Sequence, residues 1–116
     1  MTFRAAVIGC GKIGSVFADD PLLAGDVYTH AEAYVRSPAT ELVAVCDRDA
    51  DVAQRCGERW NVASFTDVAE TLYSADPDIV SICTPDETHY AIARLAIEAQ
   101  SVRAILCEKP LATNVD

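Results

Sequence analysis

Gly9, Gly11 and Gly14 fall within Gly9-Cys10-Gly11-Lys12-Ile13-Gly14, directly after the apolar run Phe3-Arg4-Ala5-Ala6-Val7-Ile8. A buried strand that runs into a glycine turn is what a dinucleotide pyrophosphate requires. Gly9 suits the tight turn, Gly11 leaves no side chain between backbone and phosphate, and Gly14 lets the following helix lie close to its strand. That helix would aim free N–H groups and roughly half a positive charge at the anion. Gly9, Gly11, Lys12, Ile13 and Gly14 are therefore candidate cofactor-binding residues. Lys12 reads either as an exposed residue at the helix start or as a phosphate contact.

Asp47 ends the run Leu42-Val43-Ala44-Val45-Cys46-Asp47. A carboxylate at that place accepts hydrogen bonds from both hydroxyls of an adenosine ribose. It lies further from the glycines than the usual spacing of about 20 residues, and an insertion after the first helix accounts for the surplus. A carboxylate repels a 2′-phosphate by about 4 kcal/mol per charge at ~4 Å and an effective dielectric of about 20, which favours NAD. Arg48 beside it offers a guanidinium that would suit a 2′-phosphate, so NADP stays open. Asp47 also reads as an ordinary loop carboxylate that caps a helix.

Apolar runs alternate with amphipathic stretches along the chain, a pattern that predicts a parallel sheet covered by helices on both faces. Strands are predicted over 4–8, 42–46, 63–65, 79–83 and 104–107, and helices over 12–18, 29–36, 50–60, 67–74 and 87–100. Asp49 and Thr66 are candidate N-caps, with Glu70 supporting the first turn after Thr66, and Asp86 is a candidate cap for the longest helix. Ala91, Leu95, Ala96 and Ala99 give that helix an apolar stripe. The resulting fold class is α/β, a doubly wound parallel sheet in the order 3-2-1-4-5, with the loops of interest on one rim. Residues 19–27 hold Pro and Gly and lengthen the first crossover, as a tolerated surface insertion or as a functional lid.

Two further motifs follow the fourth and fifth strands: Thr84-Pro85-Asp86-Glu87-Thr88-His89 and Glu108-Lys109-Pro110. With the glycine run and Asp47 they stand in the order found in the Gfo/Idh/MocA oxidoreductase family, which the chain resembles over nearly its whole length. The resemblance implies an N-terminal Rossmann domain that binds NAD or NADP. It also implies an enzyme that moves hydride between the nicotinamide and a hydroxyl or carbonyl group of a sugar, inositol or related polyol. It assigns Thr84, Pro85 and His89 to the cofactor cleft, although His89 also fits a ring packed on the first helical turn. Lys109 is, by resemblance, the catalytic lysine that hydrogen-bonds the reacting oxygen. A cationic lysine there polarises that oxygen or joins a proton relay, and needs a lowered pKa to act as a base. Glu108 would orient the ammonium or face solvent. His30 resembles a histidine that follows the first glycine turn in the family, displaced here by the insertion.

The sequence ends at Asp116, where the resembled enzymes continue into a final strand and a second, substrate-shaping domain. The expectation is one dinucleotide-binding domain over 1–116 that binds NAD without turning over a polyol. A non-enzymatic NAD(H)-sensing or interaction module is the rival reading, and Glu108-Lys109-Pro110 argues against it, since a sensor needs no lysine beside a reacting carbon.

Nine Lys and Arg against eighteen Asp and Glu leave a formal charge of −9 over 116 residues, which argues against nucleic acid as a partner. Residues are 51% hydrophobic and 23% charged, the balance of a globular domain. Five cysteines lack CxxC or zinc-ligand spacing, and reduced thiols in a cytoplasm are the simplest reading. Cys10, Cys46, Cys83 and Cys107 all fall near strand ends. Strand alternation sends neighbouring side chains to different faces, so no metal site is expected. Neither a secretion signal nor an apolar run of membrane-spanning length is visible. An exposed edge at the fifth strand invites pairing between copies. Light scattering is expected to detect some dimer, and a purely monomeric solution would contradict that.

Overall fold

The computed structural model describes residues 2–10, 30–84 and 86–107. In chain order the elements are β1 (Phe3–Ile8), α1 (His30–Arg36), β2 (Thr40–Cys46), α2 (Ala50–Trp60), β3 (Ala63–Phe65), α3 (Val68–Ala75), β4 (Ile79–Ile82), α4 (Asp86–Glu98) and β5 (Ala104–Cys107). All strand pairs are parallel, in the order β3-β2-β1-β4-β5. The continuous apolar runs mark the strands with two covered faces, as Ala5 to Ile8 of β1 show by complete burial. The predicted 12–18 helix and the 19–27 insertion lie outside the described residues.

Alternation along β1 splits the core. Ala5 and Val7 pack with Ala31 and Tyr34 of α1, Cys56 of α2, Leu42 and Val45. Ile8 faces the other way, with Leu72 of α3, Ile92, Ala93 and Ala96 of α4, and Val80 and Ile82. The pairing of β1 with β2 shifts between Ala5↔Leu42 and Ala6↔Ala44, so β2 carries one extra residue at Val43. After the shift, Ile8 stands opposite both Cys46 and Ile82, and Ile82 opposite Cys107. Four strands thus end together on one rim. At the other end of the sheet, the Arg4 guanidinium donates to the Ala75 carbonyl from Nε (3.2 Å) and Nη2 (2.6 Å), and the Arg4 amide donates to Asp78 Oδ2 at 2.9 Å.

Helix starts follow local chemistry, with corrections. Asp49 caps α2 as expected, its Oδ1 accepting from the amides of Asp51 (3.0 Å) and Val52 (3.3 Å). The cap of α3 is Asp67 and not Thr66: Asp67 has the extended backbone of a cap, and its Oδ2 accepts from the Glu70 amide at 3.0 Å. Asp86 is the first residue of α4 rather than the residue before it. Of the stripe expected on α4, Ala96 is fully buried and Ala99 packs partly buried against the core, but Ala91 and Leu95 do not. Ile92, Ala93 and Ala96 are the buried positions, while Leu95 is 40% exposed and Ala91 is exposed. One residue corresponds to about 100° of helix rotation, so Ile92 and Ala96 turn into the core while Ala91 and Leu95, one position before each, stay exposed.

One polar cluster lies inside the α1 face. Ser81 of β4 is fully buried, and its Oγ is bonded to His30 Nδ1 at 2.9 Å and to the Tyr34 hydroxyl at 2.5 Å. His30, which by resemblance matches a histidine after the family's first glycine turn, displaced by the insertion, is bonded here to Ser81. Burial pushes the Tyr34 phenol above its ordinary value, and its bond to Ser81 pulls the other way.

Cys10, Cys46, Cys56 and Cys83 are not in disulfides, and the first three are buried. Cys10 and Cys46 belong to opposite faces of the sheet, and among the described residues no three metal-ligating side chains gather. A hydrogen bond with Cys56, then burial, raises the Cys10 thiol far above its ordinary range, and burial raises Cys46. Among the described residues no helix is long and apolar enough to cross a membrane.

Two outcomes follow from this interior. Ser81→Ala, which strips Tyr34 of its hydroxyl partner, is expected to cost about 1–3 kcal/mol of unfolding free energy in urea titrations. Native Cys10 and Cys46 are expected to resist alkylation at neutral pH, because a buried protonated thiol is a poor nucleophile. Mass spectrometry reads this directly, and rapid labelling of either residue in folded protein would contradict it.

Candidate functional site

Gly9 is where the rim becomes a site. Its φ is +98°, in the region that favours glycine. A side chain there would also collide: a Cβ would lie 2.8 Å from the Cys83 carbonyl carbon and oxygen and 2.9 Å from the Thr84 nitrogen. The turn after β1 therefore presses backbone to backbone against the segment after β4. On its other side the Gly9 amide donates to the Cys46 carbonyl at 2.6 Å.

Asp47, the residue after β2, reaches across to this turn. Its Oδ2 accepts from the Cys10 amide at 2.9 Å and its Oδ1 from the Asp49 amide at 2.9 Å. Its own amide donates to the Phe65 carbonyl at 3.0 Å, tying it to β3. A carboxylate has about four acceptor positions, of which the described residues take two.

A cavity of about 530 Å3 opens between the ends of β1, β2 and β4 and the first turns of α3 and α4. That size is within the range of small-molecule and cofactor sites. Ile8, Val68, Ala91 and Ile92 supply apolar walls, with Asp47, Arg48, Thr66, Thr84 and Thr88 as polar groups. Thr88 Oγ1 donates to Thr84 Oγ1 at 2.6 Å, joining the end of β4 to the first turn of α4. The cavity lies where the strand order reverses about β1, the place at which open parallel sheets hold ligands.

The cavity thus gathers Gly9, Asp47, Arg48 and Thr84 of the residues singled out from sequence. His89 is in the first turn of α4. Gly11, Lys12, Ile13, Gly14, Pro85, Glu108 and Lys109 lie outside the described residues. Sequence reading missed Thr66, Val68, Ala91 and Ile92 as wall residues. Thr66 was hidden by its similarity to a cap; once Asp67 takes that role, Thr66 is left to face the cavity.

Comparison with known proteins places this arrangement. The family model described as an oxidoreductase family with an NAD-binding Rossmann fold matches residues 3–116. The D-glucoside 3-dehydrogenase of Escherichia coli is 36% identical over 108 residues, covering 92% of this chain and 27% of that protein. An inositol 2-dehydrogenase of Saccharopolyspora erythraea is 35% identical over 117 residues, covering all of this chain and 30% of that protein. Among solved structures, a myo-inositol dehydrogenase from Corynebacterium glutamicum superposes with a TM-score of 0.78 at 30% identity, over 98% of this chain and 30% of its own. The chain therefore spans under a third of the length of these relatives. A parallel sheet in the order 3-2-1-4-5, a glycine turn at its switch point and a match over residues 3–116 agree: the chain belongs to the Gfo/Idh/MocA oxidoreductase family, in its NAD-binding Rossmann domain.

Proposed function

We propose that this chain forms the cofactor-holding part of a dehydrogenase that moves hydride between a nicotinamide and a hydroxyl or carbonyl group of a sugar, inositol or related polyol. The observation that carries this reading is Asp47, a carboxylate fixed at the cavity mouth beside a glycine turn. Val68, Ala91 and Ile92 would hold the adenine by their apolar surface, and Asp47 would accept hydrogen bonds from the ribose hydroxyls. The likeness to glucoside and inositol dehydrogenases supports the substrate class.

NAD supplies a hydride acceptor when bound. The chain's own groups bind and orient it: Gly9 brings backbone to the pyrophosphate side, Thr84 and Thr88 line the wall after β4, and Asp47 holds the ribose. With Gly11, Lys12, Ile13, Gly14, Pro85, His89 and Glu108, these form the proposed contact set. Lys109 is the proposed catalytic group at the reacting oxygen. Lys109, as a neutral amine, would hydrogen-bond the carbinol oxygen and take up its proton as the carbinol carbon gives its hydride to bound NAD. The walls that select a polyol are proposed to lie outside residues 1–116, and a cytoplasmic setting is proposed from five cysteines that lack CxxC or zinc-ligand spacing.

Asp47 favours NAD over NADP by like-charge repulsion, and Arg48 in the same cavity offsets part of this. Calorimetry on the 116-residue chain is expected to show NAD or NADH binding, tighter than NADP(H), without polyol-dependent reduction of NAD. Absence of heat and of any melting shift at millimolar cofactor would refute the binding; steady NADH formation would refute the second part. Gly9→Ala is expected to abolish binding and lower the melting temperature, since its Cβ meets backbone that cannot yield. Wild-type affinity in that variant would remove Gly9 from the site.

A further inference from the structure

We infer that Asp47 is a positioning residue for the glycine turn as well as the ribose contact, so that one carboxylate sets up both the nucleoside and the pyrophosphate ends of the cleft. This builds on the cofactor reading above and assigns Asp47 a second task. The ladder between β1 and β2 ends at Ile8↔Cys46. Beyond it, the Gly9 amide still finds the Cys46 carbonyl at 2.6 Å, but the next donor, the Cys10 amide, has run past the sheet. Asp47 Oδ2 takes it at 2.9 Å. The Cys10 thiol adds a weak contact to the Cys46 carbonyl at 3.6 Å.

The carboxylate is itself fixed. Oδ1 accepts from the Asp49 amide at 2.9 Å, and the Asp47 amide donates to Phe65 at 3.0 Å. Asp47 thus has little freedom, and what it holds shares that rigidity. From the opposite side, Gly9 rests against the Cys83 and Thr84 backbone with no room for a Cβ. The turn is gripped between the segments after β2 and after β4, and its first amide past Gly9 is fixed by a side chain rather than by the sheet. A hydrogen bond to a carboxylate is stronger than one between neutral groups, and removing it frees the Cys10 amide, the first donor past Gly9. A consequence for specificity follows: replacing Asp47 to admit a 2′-phosphate removes repulsion but also unfastens the turn, so the exchange weakens every dinucleotide.

The test separates the two tasks with a cofactor that has no hydroxyls to lose. Wild type, Asp47→Ala and Asp47→Asn are compared for binding of NAD and of its analogue with a 2′,3′-dideoxyadenosine moiety, and for hydrogen exchange of the Cys10 amide without cofactor. D47A is expected to bind the dideoxy analogue about tenfold more weakly than wild type does, and to exchange Cys10 at least about tenfold faster. D47N keeps one acceptor oxygen, so its affinity loss is smaller and one amide, Cys10 or Asp49, exchanges faster. If D47A does not fold, D47N decides alone. Equal affinity of wild type and folded variants for the analogue would overturn the inference, leaving Asp47 a ribose contact only; so would unchanged exchange at both amides. If wild type binds neither cofactor while the variants exchange faster, the fastening stands and the cofactor reading falls.

Discussion

The Asp47 carboxylate spans the gap between the ends of β2 and β1, accepting from an amide of the glycine turn. For that bond to form, two strands far apart in sequence must end level, which the register Ile8↔Cys46 achieves. The extra residue at Val43 is part of the same constraint: it shifts β2 by one position relative to β1 after Leu42. Slide that register by one and Asp47 would leave the turn while every side chain of β2 changed face. The cleft is thus a consequence of how the central strands align, and the alignment is fixed by what each face buries.

Burial and chemistry are separated along the strands. Their middles carry small and branched apolar residues that satisfy helices on both sides, and their ends carry Gly9, Asp47 and Thr84 where the ladder stops and backbone groups become available. A parallel sheet needs this division, because its interior tolerates few unpaired polar groups. Ser81 is the exception among the described strand residues, and its hydroxyl is bonded to Tyr34 and His30 from α1. That cluster fixes α1 to β4 on the face away from the cavity walls formed by α3 and α4.

Much of the fold was legible because its signals are local. Residues 4–8 read as a two-sided strand and belong to one, and Asp49 caps α2 through bonds spanning only two and three residues. Less local features were misread. Thr66 and Asp67 are both competent caps, and the choice turned on which backbone was extended where the chain leaves β3. On α4 Ala96 and Ala99 were read correctly, but Ala91 and Leu95 are exposed while Ile92 and Ala93 are buried, because apolar residues on several sides of the helix leave the edge of its core face open from sequence. The bond of His30 to Ser81, 51 residues on, had no local signal.

By itself the sequence determined the element order, the parallel class of the sheet, the glycine turn and the acidic residue after β2, since each depends on residue types at short spacing. Only the tertiary structure decided that Asp47 holds the Cys10 amide, that Gly9 lies against Cys83 and Thr84, and that Thr66, Val68, Ala91 and Ile92 complete one cavity. The physical reason is range. Hydrophobic periodicity and capping act within a turn or two of chain, but a cleft is made of groups from several strand ends, and their distances follow from register and packing that no short stretch encodes.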